Sequence, residues 1–171
     1  MQELAGKIRA IPDFPKKGIL FRDITTLLGD AAAFRKAIDK LAVNYQNTKI
    51  DAVVCVESRG FIFGAPIAYK LGAAFVPVRK PGKLPYKTYK VTYDLEYGSD
   101  TLEIHQDAFP SGANVLIVDD LLATGGTTKA TAELIEKLKG NIVGIAFMIE
   151  LDFLNGREKL KNYKVNSIIH Y

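Results

Sequence analysis

Apolar residues recur along this chain with two different periods. Short unbroken runs at 52–56, 115–118 and 142–149, rich in valine and isoleucine, have the pattern of strands buried on both faces. Further strands are expected at 75–79 and 165–169, with a short extended or loop segment at 19–24. Between these runs the apolar spacing lengthens to that of helices. Phe34, Ile38, Leu41 and Tyr45 recur at intervals of four, three and four behind Asp30, predicting a helix capped by Asp30 and reaching about Asn44. Residues 61–71 read as a helix that tolerates Pro66 early, and 4–11 as a short helix ended by Pro12 and Pro15. Residues 127–139 read as a helix with Leu134, Ile135 and Leu138 on one side, stopped by Gly140 at C′. From Tyr89 strict alternation takes over: Tyr89, Val91, Tyr93, Leu95 and Tyr97 face one way, and Lys90, Thr92, Asp94 and Glu96 the other. Gly98, Ser99 and Asp100 then turn the chain into 101–105, which predicts a hairpin. Strands alternating with helices predict an α/β fold, a mainly parallel central sheet flanked by helices, with its sites at the C-terminal ends of strands.

The stretch 115–128 carries the most chemistry. Val115-Leu116-Ile117-Val118 leads into Asp119 and Asp120, expected where the strand surfaces, and then into a hydroxyl-rich turn that opens the next helix. Backbone N–H groups at a helix start, at the positive end of its dipole, favour a phosphate dianion. Gly125 and Gly126 let backbone approach closely, while Thr124, Thr127 and Thr128 add hydroxyl donors. Asp119 and Asp120 are acceptors suited to ribose hydroxyls. No Gly-x-x-x-x-Gly-Lys-Ser/Thr spacing can be laid over the loop, so an ATPase reading has no anchor. Glu57-Ser58-Arg59-Gly60-Phe61 follows the 52–56 strand and should reach the same edge as Asp119, where N–H groups around Gly60 and the Arg59 guanidinium suit a diphosphate.

At 171 residues and 48% hydrophobic content, with no linker, repeat or low-complexity tract, residues 1–171 are expected to form one domain with a real core. The first residues are too polar for a signal peptide, and no apolar run approaches the roughly 20 residues of a membrane span. The single cysteine, Cys55, lies within an apolar run and reads as a buried strand residue of a reducing compartment. A cytoplasmic protein is expected. The net charge of +4 matters less than its distribution. Five cations (Arg79, Lys80, Lys83, Lys87, Lys90) occur without an acid between 79 and 90, and five acids (Asp94, Glu96, Asp100, Glu103, Asp107) follow by 107. The acidic block would repel a nucleic-acid backbone, so a compact polyanion such as pyrophosphate is the better partner. No His/Cys/Asp/Glu cluster has metal-ligand spacing, which argues against a protein-caged zinc.

The run Asp119-Asp120-Leu121-Leu122-Ala123-Thr124-Gly125-Gly126-Thr127 resembles the phosphoribosyl-diphosphate signature of type I phosphoribosyltransferases, in the form found in adenine-specific members. Phe14-Pro15…Gly18…Phe21-Arg22-Asp23, Glu57-Ser58-Arg59-Gly60 and Tyr93-Asp94-Leu95-Glu96-Tyr97-Gly98 resemble further segments of that family, so the likeness runs from Phe14 to Ser167. It implies the type I phosphoribosyltransferase fold with a flexible β-hairpin hood at about 85–105 and a base-binding segment at about 14–24. It implies that Ala123, Thr124, Gly125, Gly126 and Thr127 anchor the 5′-phosphate, and that Ser58, Arg59, Lys80 and Lys83 hold the diphosphate. Arg79 would reach across a dimer interface into the partner's site. Glu96 would be the acid/base at the purine nitrogens, with Tyr97 near the reacting groups; by alternation the two face opposite sides, so both act only if the hairpin twists there. Backbone groups near Leu20 and Arg22 would bond the adenine edge, Leu151 would close the other side, and Phe21 is either a stacking ring or a core aromatic. Magnesium would arrive on the diphosphate and ribose oxygens, with water completing its shell. The implied reaction joins adenine to 5-phospho-α-D-ribose 1-diphosphate, giving AMP and diphosphate in purine salvage. Two alternatives remain open: transfer to another purine such as xanthine, or a non-catalytic sensor of the same fold. Sensors of that kind carry an added DNA-binding domain, for which the residues before Phe14 are too few.

Overall fold

The computed structural model describes residues 2–94 and 98–171, the side chains of Gln2 and Asp94 excepted. The chain divides into two compact units, Met1–Lys40 and Leu41–Tyr171.

The first unit contains α1 (Gln2–Ala5), β1 (Arg9–Pro12), β2 (Leu20–Asp23), α2 (Thr25–Leu28) and most of α3 (Ala31–Val43). The helix expected over 4–11 is not formed: it stops at Ala5, and Arg9–Pro12 is a strand antiparallel to β2. Gly6 disfavours helix by about 1 kcal/mol, and a partner 14 residues away decides the rest. Arg9 donates to Asp23 Oδ2 through Nε (3.1 Å) and Nη2 (2.6 Å), while Thr25 N–H and its hydroxyl donate to Asp23 Oδ1 at 3.0 and 2.8 Å. The Arg9 guanidinium and these Thr25 donors hold the Asp23 carboxyl at about 2. Asp30 caps α3 as expected, its Oδ1 accepting from Ala32 N–H (3.1 Å) and Ala33 N–H (3.0 Å).

The second unit is built on β3 (Ala52–Val56), β4 (Ala74–Val78), β7 (Asn114–Leu122), β8 (Asn141–Glu150) and β9 (Val165–His170). These form one parallel sheet in the order β4-β3-β7-β8-β9. All five residues of β3 are buried, as its unbroken apolar run requires of a central parallel strand. Helix α4 (Arg59–Leu71) joins β3 to β4, and α5 (Gly126–Lys137) joins β7 to β8. The chain steps outward from β3 to β4, then returns to place β7 on the other side of β3. The C-terminal ends of β3 and β7 therefore flank the switch point, where open α/β sheets form their crevice.

Between β4 and β7 runs an antiparallel hairpin, β5 (Thr88–Asp94) with β6 (Ser99–His105). Ser99 and Asp100 were expected in the turn but already pair with Asp94 and Tyr93. The hairpin's apolar face is packed: Val91, Leu102 and Ile104 join Val115 and Ile117 of β7 and Leu134 and Ile135 of α5 in one core cluster. Backbone bonds from Arg79 N–H to Glu103 O (3.0 Å) and from Glu103 N–H to Arg79 O (2.7 Å) also tie β6 to the chain leaving β4. Helix α5 ends two residues earlier than expected, and the left-handed residue after it is Lys139 (φ 59°), not Gly140. Gly140 is required for a different reason: a Cβ there would lie 2.7 Å from Ile135 Cγ2 and 2.8 Å from Phe109 Cε2. The segment after β8 forms two short 3₁₀ turns, Asp152–Leu154 and Gly156–Leu160. No helix among the described residues is long and apolar enough to cross a membrane.

Cys55 is fully buried, and burial pushes its thiol well above the usual range, in keeping with a packing role. Its Sγ sits 1.8 Å from where a Cβ on Gly64 would be, so α4 packs on β3 only with glycine at that position. Gly64→Ala is expected to lower the unfolding free energy by about 1–3 kcal/mol, and Cys55→Ala in the same background to recover part of the loss. Urea titration of the single and double variants measures both; a double variant no better than Gly64→Ala would remove this contact as the cause.

Candidate active site

A cavity of about 440 Å³ opens at the switch point. Residues 56–59 after β3 form one wall, and residues 119–128, from the end of β7 into α5, form the other.

One end of the cavity is the start of α5. Gly125 is its N-cap, in the left-handed region at φ 76°. Glycine accepts nothing through a side chain, so the first N–H groups of the helix have no capping side chain where serine, threonine or aspartate would normally supply one. With the helix dipole behind them, they present positive potential to the cavity. The loop is held from behind by backbone. A Cβ on Gly125 would fall 2.5 Å from Gly156 O, and one on Gly156 would fall 2.2 Å from Ala123 O and 2.9 Å from Leu122 Cδ1. Thr127 is fixed twice, its carbonyl accepting from Thr131 Oγ1 (2.9 Å) and its hydroxyl 3.1 Å from Tyr93 OH on the hairpin.

Asp119 and Asp120 lie within β7, which runs on to Leu122, so they are not the surface pair expected at a strand's end. Asp120 is 5% exposed and bound to Arg59, Nε to Oδ2 at 2.8 Å. Asp119 Oδ1 accepts from Asp120 N–H at 2.9 Å. It is also met by the first turn of α4, where a Cβ on Gly60 would lie 2.8 Å from it. Gly60 is thus buried against Asp119 rather than presenting the exposed loop expected there. Burial and the neighbouring Asp120 charge push the Asp119 carboxyl well up; burial raises Asp120 too, with the Arg59 charge opposing it.

Glu57 received no role from sequence, yet it is the most connected side chain of the site. Its Oε2 accepts from Arg79 Nε and Nη2, each at 2.8 Å. Its Oε1 accepts from Lys80 N–H at 2.9 Å and pairs with Lys83 Nζ at 3.0 Å. Burial alone would raise this carboxyl; the Lys80 N–H, Lys83 and Arg79 overcome that and hold it at about 2.

The cavity brings together Ser58, Arg59, Asp119, Asp120, Ala123, Thr124, Gly125, Gly126 and Thr127, all singled out from sequence. Arg79, Lys80 and Lys83 do not line it: Arg79 and Lys83 engage Glu57 of their own chain, and Lys80 Nζ pairs with Asp100 on the hairpin at 3.0 Å. Leu151 donates its N–H to Leu122 O (3.0 Å), beside a cavity-lining residue. Leu20, Phe21 and Arg22 belong to the first unit, where Phe21 is half-buried with its ring edge-on to Phe14, centroids 5.1 Å apart. Glu96 and Tyr97 lie outside the described residues. Sequence reasoning missed Glu57, Gly156 and the Tyr93–Thr127 contact. The first opens a segment already noted but drew no role there, and the second drew none either; the third joins residues 34 apart and has no one-dimensional signal.

Among the described residues one group of three metal-ligating side chains comes together, Glu150, Asp152 and His170. Arg157 already occupies both Glu150 oxygens (2.6 and 2.8 Å), and none of the three lines the cavity.

The close backing of the loop gives a direct test. Gly156→Ala is expected to displace Ala123 and weaken inorganic phosphate binding roughly tenfold or more, with a smaller effect on the far-ultraviolet spectrum. Titration calorimetry with phosphate measures it; unchanged affinity would free the loop from dependence on Gly156.

Comparison with known proteins agrees with this geometry. The phosphoribosyl transferase domain family matches residues 25–169. An adenine phosphoribosyltransferase of Chloroflexus aurantiacus is 59% identical over 170 residues, covering 99% of this chain and 98% of the relative. One of Alkaliphilus metalliredigens is 60% identical over 168 residues, covering 98% and 99%. The crystal structure of the Thermoanaerobacter pseudethanolicus enzyme superposes with a TM-score of 0.96 at 55% identity, covering 99% of each chain. That of the Saccharomyces cerevisiae enzyme, complexed with an imino-altritol bisphosphate and adenine, gives 0.92 at 48% identity, covering 97% of this chain and 96% of that one. An uncapped helix start and an adjacent carboxylate pair at the switch point, on a sequence this close to theirs over its whole length, mean that the chain belongs to the phosphoribosyltransferase family and, within it, to the adenine phosphoribosyltransferases.

Proposed function

We propose that this chain transfers the 5-phosphoribosyl group from phosphoribosyl diphosphate to adenine, yielding AMP and diphosphate, in cytoplasmic purine salvage. The observation that carries the reading is the order of groups in one cavity: an uncapped helix start at Gly125, then Asp119 and Asp120, then Arg59. That order follows a 5′-phosphate, a ribose and a departing diphosphate. The residue from Ala123 to Thr127 that faces each phosphate oxygen is taken from the likeness to the family, as are Leu20, Phe21, Arg22 and Leu151 at the base. The yeast relative solved with adenine supports that base, and residues 1–171 are read as one phosphoribosyltransferase domain because the family match runs through 25–169.

In the reaction the C1′–O bond to diphosphate breaks with its electron pair leaving on oxygen, and a purine nitrogen forms the new bond to C1′. Positive charge builds on the ribose and negative charge on the leaving group, so both ends need electrostatic support. Asp119 and Asp120 hold the ribose and offset its charge; Ser58, Arg59, Lys80 and Lys83 receive the diphosphate. Glu96 takes the proton lost from the purine, with Tyr97 beside the reacting groups. Magnesium brought in on the substrate would neutralise part of the diphosphate charge, and Asp119 and Asp120, which line the cavity, are oxygen donors suited to such a cation. The family's Arg79 contact across a subunit interface makes the working form a homodimer.

Pyrophosphate release from phosphoribosyl diphosphate, with adenine, hypoxanthine, guanine and xanthine offered separately, tests the reading. Release is expected with adenine alone and is expected to stop when EDTA removes magnesium. Release with xanthine instead would keep the phosphate assignments and overturn the base; binding without release from any base would favour the sensor. Asp120→Asn is expected to lower kcat on the order of 10²–10³ with an unchanged circular dichroism spectrum. Wild-type turnover in that variant would remove Asp120 from the ribose.

A further inference from the structure

We propose that Glu57, which lines the cavity, is a positioning residue that gathers the basic segment of Arg79, Lys80 and Lys83 behind it, pre-arranged for a diphosphate-bearing ligand. The proposal rests on the function proposed above and adds to it a residue with no other part in the reaction.

A carboxylate beside a cavity for a polyanion is unfavourable unless it performs another task. Glu57 lines that cavity, its side chain is only 7% exposed, and both oxygens are fully engaged. All of its partners come from one short stretch: the Arg79 guanidinium, the Lys80 N–H and the Lys83 ammonium. Two side-chain cations on one carboxylate leave one positive charge in excess beside the Ser58–Arg59 wall. The stretch has no helix or strand of its own, since β4 ends at Val78; its backbone is tied to Glu103 of the hairpin at Arg79, and Glu57 gathers its cationic side chains. Long cationic side chains lose rotamer freedom when a ligand immobilises them, and anchoring them beforehand removes that cost from binding.

The other two cations of this region are differently held. Arg59 pairs with Asp120, and Lys80 Nζ with Asp100 of the hairpin. Glu57 collects donors from three residues of the segment, backbone and side chain together. It is thus an anchor for the segment, joined through Glu57 N–H to Val78 O (3.0 Å) to the end of the same strand from which the segment departs.

Glu57→Gln keeps the shape and removes the charge. The test measures binding of inorganic pyrophosphate with magnesium, and separately of ribose 5-phosphate, by titration calorimetry on the full chain. Pyrophosphate affinity is expected to fall roughly tenfold or more while ribose 5-phosphate stays within about twofold; Glu57→Asp should fall between wild type and the glutamine variant. In turnover, KM for phosphoribosyl diphosphate should rise by a similar factor with kcat changed less than about threefold. Equal weakening of both ligands would mark a general structural role and overturn the proposal, as would unchanged or tighter pyrophosphate binding. If the glutamine variant does not fold, Glu57→Asp decides alone by the same split. Wild type binding neither ligand would overturn the functional reading as well; wild type binding both, with no pyrophosphate loss in either variant, would overturn this proposal only.

Discussion

Two adjacent carboxylates at the end of an apolar strand, Asp120 buried and Asp119 half-buried, impose the constraint that the rest of the second unit answers. Asp119 and Asp120 sit in β7, which has no solvent on either face along 115–118. Ionised, they carry a desolvation cost that grows with their mutual proximity. The fold supplies compensation from the next strand: Arg59 at the start of α4 reaches Asp120, and the first turn of α4 closes on Asp119 because residue 60 has no side chain. A short strand-to-helix turn directly after β3 is what brings those groups there, and that turn exists because β3 and β7 are neighbours in the sheet. The cavity, its cation and its carboxylates thus follow from one sheet order.

The same economy applies to charge. The basic block of 79–90 and the acidic block that follows look like opposing patches when written as a line. In space they face each other, Lys80 with Asp100 and Lys90 with Glu103 at 2.6 Å, across the antiparallel register of the hairpin. Glu103 is 2% exposed, so its pairing with Lys90 is part of how the hairpin packs rather than a solvated surface pair. The hairpin stem is accordingly a component of the core, with Val91, Leu102 and Ile104 buried against β7 and α5. Its Tyr93 hydroxyl meets Thr127 in the first turn of α5, so the hairpin and the start of that helix share a hydrogen bond.

Glycine serves the site in two physically distinct ways. Gly125 adopts a left-handed backbone that starts α5 without a capping side chain. Gly60, Gly64 and Gly156 are needed for close approach instead, and each marks a place where helix or loop touches a strand or another backbone. Removing a side chain is how this fold brings polar backbone next to a cavity without leaving space behind it.

Much of this was legible along the chain. The strands of the sheet, the helix capped by Asp30, the hairpin alternation and the loop at 123–127 are local patterns, set by the period of apolar residues and by backbone chemistry within a few positions. Where those patterns failed, a distant partner decided. Arg9–Pro12 became a strand because β2 offered ladder bonds and Asp23 an ion pair. Lys139 took the left-handed position because Gly140 was needed against Phe109. Glu57 became the hub of the basic segment because β3 and β4 lie side by side. The sequence by itself determined which segments are strands and helices and which loop can hold a phosphate, since those depend on neighbours in the chain. Only the tertiary structure decided which carboxylate holds which cation, and how closely backbone may approach, since both depend on the order of strands in the sheet.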